Sequence, residues 1–174
     1  MSTASFLPPE LLALALRVVE ANRALGRTIA LAESCTGGLV AAALTEIPGS
    51  SAVLDRAYVT YSNEAKRDCL GVSGDIIETF GAVSIACAWA MAQGALKHSR
   101  ADVAVAVSGV AGPDGGTPMK PVGTVVFARA LRSGGNPDAE TRFFPGGDRS
   151  DIRVQAALCA LELLLPPHED GEAP

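Results

Sequence analysis

Short apolar runs alternate with segments of helical periodicity in the first third of the chain. Residues 10–26, ELLALALRVVEANRALG, repeat apolar residues at helical spacing and end at Gly26, which can supply the left-handed conformation of a helix stop. RTIALA (27–32) and SAVLDRAYVTY (51–61) predict strands, and GLVAAALTEI (38–47) predicts a small-residue helix between them. The order expected here is helix, strand, helix, strand.

The middle of the chain predicts three helices, each with a polar residue near its start. Ser62 is the expected N-cap of the first, which stops at Gly71. Asp75 and Glu78 stand in capping-box positions for the second. Ser84 opens the third, a long alanine-rich helix.

The remaining apolar runs complete an alternating pattern. Residues 101–109, ADVAVAVSG, are almost uniformly apolar, as in a strand covered on both faces of its sheet. Residues 123–131 and 139–145 predict two strands close enough for an antiparallel hairpin, and residues 150–165 predict a last helix. This pattern predicts an α/β fold, a three-layer α/β/α single domain with a mixed, mainly parallel sheet.

Length and charge restrict the organisation and the partners. The chain has 174 residues, 48% of them hydrophobic, which is long enough for one well-packed domain and short for two. We expect one domain over residues 1–174, with its core at about 8–166 and an acidic tail at 167–174. A formal net charge of -5 without a basic run disfavours nucleic acid as a partner. No leader pattern and no apolar run of bilayer length is present, so we expect no membrane association.

Cysteine and histidine usage narrows the chemistry further. The chain has four well-separated cysteines, Cys35, Cys69, Cys87 and Cys159. Their spacing signals neither zinc nor a disulfide framework, which favours a cytoplasmic protein. His98 ends a predicted helix and His168 lies in the acidic tail, so a Ser-His-Asp arrangement is poorly supported. No metal-ligand set and no nucleotide-phosphate loop is recognisable, and we expect neither a metal nor a cofactor.

Three polar, glycine-rich loops each follow an apolar strand. They span residues 33–38, 61–66 and 108–123. In an open α/β sheet, binding and catalytic residues collect in loops beyond the strand ends. If the three strands are parallel neighbours, these loops meet at one edge, which is therefore the candidate site.

The first loop, ESCTGG, admits two interpretations. Thr36 or Ser34 can cap the helix that begins near Gly37, with a tight turn beside it. That interpretation leaves Glu33 and the second hydroxyl unexplained. Alternatively, Ser34 is a nucleophile, and backbone N–H groups around Gly38 are open to an anion or a developing oxyanion.

The second loop places a lysine where an apolar residue is usual. With Ser62 as N-cap, Lys66 is the fourth helical residue, the position that normally packs against the residue before the cap, here Tyr61. The helix dipole and burial would both lower the pKa of this lysine, as a general base requires. The alternative is a solvated lysine whose stem covers Tyr61.

Five segments in unbroken order carry a family resemblance. AESCTGG, VTYSNEAK, GAVS, SGVAGPDGG with KPVGTV, and FPGGDRSDIR resemble the signature segments of the CinA C-terminal domain family. The resemblance runs from about Thr28 to Leu165. It implies deamidation of nicotinamide mononucleotide to nicotinic acid mononucleotide and ammonia, with Ser34 and Lys66 as the catalytic pair. Tyr61 matches the tyrosine that lies between them in the motifs, and Lys66 would take the Ser34 proton either directly or through Tyr61.

The resemblance also suggests where the substrate is held. The expected oxyanion donors are N–H groups near Thr36 to Gly38 or from Gly109 to Gly112. Arg149 is the expected phosphate ligand, although a surface ion pair with Asp148 or Asp151 is the alternative. We expect the substrate to be contacted by Glu33, Thr36, Gly37, Gly38, Asn63, Gly109, Gly112 and Arg149.

Several alternatives stay open from the sequence. Cys35 is a second candidate nucleophile, but an inert buried thiol is favoured, and Lys120 either contacts substrate or is solvated. A non-catalytic binding module and an amidase for another small amide are the competing functions. The small-residue helices are compatible with a homo-oligomer and equally with a tight monomer core.

Overall fold

Six α-helices and five strands make up the part of the chain that the computed structural model describes, residues 5–166. In chain order they are α1 (Pro9–Ala24), β1 (Ile29–Glu33), α2 (Leu39–Thr45), β2 (Leu54–Val59), α3 (Asn63–Leu70), α4 (Gly74–Phe80), α5 (Ile85–Lys97), β3 (Val103–Gly109), β4 (Thr124–Leu131), β5 (Asp138–Phe143) and α6 (Arg149–Leu164). A single 3₁₀ turn, Ser50–Ala52, precedes β2. The predicted acidic tail, 167–174, lies outside the described residues.

The strands form one sheet in the order β2-β1-β3-β4-β5. β1 pairs in parallel with both β2 and β3. β4 is antiparallel to β3 and to β5, so that it runs against the other four strands. The predicted mixed sheet and its terminal hairpin are confirmed.

The sheet lies between two helical layers because alternate residues of its inner strands face opposite sides. Ile29 and Leu31 of β1 join the core under α1, α2 and α6. Ala30 and Ala32 join the core under α5, with the end of α3 and part of α4. The three-layer α/β/α prediction is confirmed, and burial on both faces explains the uniformly apolar run at Val103–Val107.

A glycine allows α5 and α3, two helices of the second helical layer, to pack closely. A Cβ added to Gly94 of α5 would lie 2.1 Å from the carbonyl oxygen of Leu70, the last residue of α3. Such contacts do not occur between real atoms, so a side chain at this position would push the two helices apart. The glycine therefore fixes the distance between α5 and α3, the helix that carries Lys66.

The helix caps agree with the sequence at two sites and differ at a third. The Ser62 and Ser84 hydroxyls accept hydrogen bonds from the first turns of α3 and α5, as predicted. The capping box expected from Asp75 and Glu78 is wrong, because Ser73 is the N-cap of α4 and accepts from the Asp75 N–H. Asp75 thus lies inside the first turn, where its negative charge still suits the helix dipole.

None of the helices within residues 5–166 has both the length and the apolar character needed to cross a bilayer.

Candidate active site

The three polar loops meet at one edge of the sheet, as predicted from their position after the strands. β2, β1 and β3 are parallel neighbours, so their carboxyl ends lie side by side. A cavity of about 300 Å³ opens there. Its walls include seven of the predicted site residues, Ser34, Tyr61, Asn63, Lys66, Gly109, Gly112 and Arg149.

Ser34 and Lys66 are in direct contact inside this cavity. The Lys66 amine, Nζ, lies 3.1 Å from Ser34 Oγ. Both residues are buried, with exposures of 1% for Lys66 and 7% for Ser34. The contact joins the loop after β1 to the first turn of α3. Because Lys66 is buried, the alternative of a solvated lysine is wrong.

Two backbone carbonyls complete the surroundings of the Lys66 amine. Nζ lies 2.8 Å from the carbonyl oxygen of Thr60 and 3.5 Å from that of Tyr61. A neutral amine has two N–H donors and one lone pair. If the carbonyls accept both N–H groups, the lone pair faces the Ser34 hydroxyl. This is the arrangement in which an amine accepts a proton from a serine.

Burial also favours the neutral amine. Desolvation lowers the pKa of Lys66 from its ordinary value, in the direction predicted from the sequence. Within the described residues Lys66 forms no ion pair that would oppose this effect. The amine is therefore disposed to act as a base closer to neutral pH than an exposed lysine.

Tyr61 does not stand between Lys66 and Ser34. Its phenol is exposed and its oxygen accepts a hydrogen bond from Arg149 Nη2 at 2.8 Å. Arg149 also donates through Nη1 to the carbonyl of Gly112. Tyr61 and Arg149 thus connect the second and third loops at the rim of the cavity.

Arg149 forms no ion pair with Asp148 or Asp151 in the described part of the chain. Both carboxylates are engaged in a capping box instead. Asp148 accepts from the N–H groups of Ser150 and Asp151, and Asp151 accepts from the Asp148 N–H. The alternative of a surface ion pair is therefore wrong.

The first loop differs from its predicted capping. Neither Thr36 nor Ser34 caps α2; Gly38 is the N-cap residue, with φ at 93°. The buried Glu33 carboxylate accepts from the N–H groups of Gly38 at 2.9 Å, Val40 at 3.3 Å and Ala41 at 2.9 Å. An anion at a helix N-terminus is electrostatically favourable, and here it comes from the end of the preceding strand.

Four predicted binding residues of this loop, Glu33, Thr36, Gly37 and Gly38, do not line the cavity. The Gly37 N–H donates to the carbonyl of Ser34 at 3.0 Å, and the Gly38 N–H to Glu33. Their N–H groups are thus occupied. The buried Thr36 hydroxyl has no hydrogen-bond partner within residues 5–166. By contrast, the N–H groups of Cys35 and Thr36 donate to no acceptor elsewhere in that range.

The Cys35 thiol is unsuited to attack. Burial raises the pKa of Cys35 to about 12, so that almost no thiolate exists near neutral pH. Lys120 also lies away from the cavity wall, with its amine donating to the carbonyl of Phe80 at 2.8 Å. This bond attaches the long third loop to the end of α4.

Sequence reasoning missed two polar residues of the cavity wall, Ser108 and Asp114. The Ser108 hydroxyl donates to the carbonyl of Ala82 at 2.9 Å, which joins the end of β3 to the segment before α5. The polar ending of an otherwise apolar strand was the available signal for Ser108. Asp114 belongs to a glycine-rich loop in which spacing alone distinguishes no single side chain.

Comparison with known proteins identifies the family. The profile of the CinA C-terminal domain matches residues 11–166. The nicotinamide-nucleotide amidohydrolase PncC of Escherichia coli K12 is 50% identical over 155 residues, which cover 89% of this chain and 93% of that protein. PncC of Enterobacter agglomerans is 50% identical over 152 residues, covering 87% and 92%.

Longer relatives match this chain over one part of their length. A competence-damage inducible protein of Symbiobacterium thermophilum is 55% identical over 146 residues, which cover 80% of this chain and 34% of that protein. The chain thus spans about a third of such relatives. Among solved structures, the competence/damage inducible protein of Agrobacterium tumefaciens superposes with a TM-score of 0.89 at 50% identity, covering 92% and 96% of the two chains.

The lowered pKa of Lys66 predicts a particular dependence of stability on pH. The unfolded chain holds this lysine at its ordinary pKa of 10.5, so between the lowered native value and 10.5 the unfolded state binds more protons. Relative to Lys66→Met, wild-type protein should therefore gain unfolding free energy as pH rises through this window. The gain is about 1.4 kcal/mol for each unit by which the pKa is lowered. Urea unfolding at a series of pH values measures it.

The exposed Lys97 provides the control for loss of a lysine, as Lys97→Met. A constant difference between wild type and Lys66→Met across this pH range would contradict a lowered pKa.

Proposed function

This chain belongs to the CinA C-terminal domain family, and we propose that it hydrolyses nicotinamide mononucleotide to nicotinic acid mononucleotide and ammonia. The proposal is carried by the buried contact of 3.1 Å between Ser34 Oγ and the amine of Lys66. Amide hydrolysis needs an activated nucleophile, and this pair supplies one without histidine or metal. The substrate is that of the PncC relatives, which match this chain over nearly their whole length.

Acylation uses both members of the pair. Ser34 Oγ attacks the carboxamide carbon while its proton passes to Lys66 Nζ, which forms a tetrahedral oxyanion. Lys66 then returns this proton to the amide nitrogen, and ammonia leaves as the carbon–nitrogen bond breaks. The direct contact supports transfer without Tyr61 as a relay. We assign Tyr61 instead to holding Arg149 at the rim.

Deacylation repeats the same proton transfers with water. Lys66 takes a proton from a water molecule that attacks the ester carbonyl, and Ser34 Oγ regains a proton as it departs. The net reaction consumes one water and releases ammonia and a carboxylate. The unengaged N–H of Cys35, beside the nucleophile, is our assignment for the oxyanion donor, since those of Gly37 and Gly38 are occupied.

We assign Arg149 to the phosphate of the mononucleotide. Its guanidinium lies at the rim of the cavity, on the first residue of α6, and a guanidinium can bind a phosphate through two parallel N–H groups. Asn63, Gly109 and Gly112 of the cavity wall surround the remaining part of the substrate. The four cysteines are free in the structure, which supports the cytoplasm as the site of the reaction.

Substitution of the nucleophile tests the proposal most directly. Ser34→Ala should abolish ammonia release from nicotinamide mononucleotide and leave the fold intact, because only the reacting hydroxyl is removed. Cys35→Ala should retain most activity, since the thiol is protonated and only the backbone of this residue is assigned a role. A coupled ammonia assay measures both. Activity lost in Cys35→Ala and kept in Ser34→Ala would contradict the assignment.

The pH dependence of turnover tests the base. Activity requires neutral Lys66, so kcat/KM should fall as pH decreases through the pKa of this lysine, at a pH below 10.5, the ordinary value. Lys66→Arg should lower turnover by orders of magnitude, since a guanidinium stays protonated. Lys66→Met should do the same while the protein stays folded at the pH of the assay, which its melting curve at that pH checks. A near wild-type rate in Lys66→Arg would exclude proton abstraction by this residue.

A comparison of two substrates tests the phosphate contact. Arg149→Ala should reduce kcat/KM for nicotinamide mononucleotide by roughly 2 to 4 kcal/mol of transition-state stabilisation, because a charged partner is lost. The slower hydrolysis of nicotinamide riboside, which lacks the phosphate, should barely change. Equal losses on both substrates would show that Arg149 maintains the rim through Tyr61 and Gly112 without binding phosphate.

A further inference from the structure

A second arginine of α6 contacts the turn that carries the proposed nucleophile. Arg153 Nε donates to the carbonyl of Cys35 at 3.2 Å, and its Nη2 donates to the carbonyl of Thr36 at 2.9 Å. A Cβ added to Gly37 would lie 3.4 Å from the same Nη2. Within residues 5–166 Arg153 forms no ion pair. Its charge is therefore directed at the backbone of this turn.

These contacts determine which side of each peptide unit faces the guanidinium. In a trans peptide the N–H points away from the carbonyl oxygen. The carbonyl of Cys35, which Arg153 binds, belongs to the same peptide as the N–H of Thr36. The carbonyl of Ser34, which accepts from the Gly37 N–H, belongs to the same peptide as the N–H of Cys35. Both N–H groups that follow the nucleophile are thus fixed from their carbonyl side.

The turn needs such an external support because it is not yet helical. α2 begins only at Leu39, and the side chain of Thr36 makes no hydrogen bond in the described part of the chain. Two opposite charges hold the turn. Glu33 binds N–H groups at its end, and Arg153 binds carbonyls in its middle. A charge-assisted hydrogen bond is stronger than a neutral one, so both orientations are well defined.

We propose that Arg153 is a positioning residue for the hydrolysis: it holds the Cys35–Thr36 and Thr36–Gly37 peptide units, and the Gly37 N–H in turn holds the carbonyl of Ser34, so that the Cys35 N–H stays available to the oxyanion. This inference rests on the proposed function. The same positive charge polarises the Cys35–Thr36 peptide and favours negative charge beside Ser34. Arg153 does not itself line the cavity and forms no hydrogen bond with Lys66, so its effect passes through the backbone of Cys35 and Thr36.

Two reactions of Ser34 measure this effect in Arg153→Met. On nicotinamide mononucleotide, kcat should fall roughly 10-fold to 100-fold while KM changes less than about twofold, because the support acts on the oxyanion and not on ground-state binding. The acid limb of the pH profile should keep its position, since Lys66 is untouched. The second reaction is labelling by a fluorophosphonate, in which the Ser34 Oγ–P bond forms, P–F breaks and Lys66 takes the proton. It should slow by a similar factor.

Arg132→Met is the matched control. Arg132 also donates to backbone carbonyls, those of Leu96, Ser99 and Ala101, but at the opposite edge of the sheet. It should lower the melting temperature without changing kcat of the folded enzyme. Arg153→Lys keeps the positive charge and a single donor nitrogen, so it should recover part of the lost kcat. This variant also remains usable if Arg153→Met folds poorly.

The outcomes separate this inference from the proposed function. Arg153→Met with both rates within about twofold of wild type, or a loss no larger than its unfolded fraction explains, would overturn the positioning role alone. Slowed labelling in a protein whose wild type does not hydrolyse nicotinamide mononucleotide would reject the substrate and retain the role of Arg153. A wild type that neither hydrolyses this substrate nor labels at Ser34 would overturn both.

Discussion

The parallel pairing of β1 with both β2 and β3 is the constraint on which the site depends. Parallel neighbours place their carboxyl ends at the same edge, so the chain leaves all three strands at one place. Ser34 follows β1, Lys66 lies in the helix after β2, and the glycine-rich loop follows β3. An antiparallel β2 would put Lys66 at the far end of the sheet. The 3.1 Å contact between amine and hydroxyl is thus a consequence of topology.

Two buried ionisable residues at this edge, Glu33 and Lys66, have opposite electrostatic surroundings. The Glu33 carboxylate receives three backbone N–H groups of the α2 start, which compensate its charge. The Lys66 amine has carbonyls and a hydroxyl around it and no carboxylate within hydrogen-bond distance in the described residues. Burial without a counter-charge disfavours the ammonium form. The fold thus stabilises an anion that supports the turn and favours the neutral form of the neighbouring amine.

The last helix, α6, contacts all three loops of the site. Arg149 joins Tyr61 of the second loop to Gly112 of the third, while Arg153, one helical turn later, binds the first loop. All three loops are therefore attached to one rigid element. Residues held by a helix are positioned more accurately than residues on free loops, which suits the proposed hydrolysis, since that reaction must align a nucleophile, a base and an oxyanion donor.

The sequence by itself determined the alternation of strands and helices, the caps at Ser62 and Ser84, and the unusual lysine at the fourth position of α3, because these depend on neighbours within a few residues. The family resemblance supplied the pairing of Ser34 with Lys66. Only the tertiary structure decided that the Glu33 carboxylate accepts from N–H groups at the start of α2, that Tyr61 contacts Arg149 and not Ser34, and that Arg153 binds the turn after Ser34. These contacts join residues far apart along the chain or across a glycine turn, so their partners are defined by the packing of the sheet and α6, to which local pattern is insensitive.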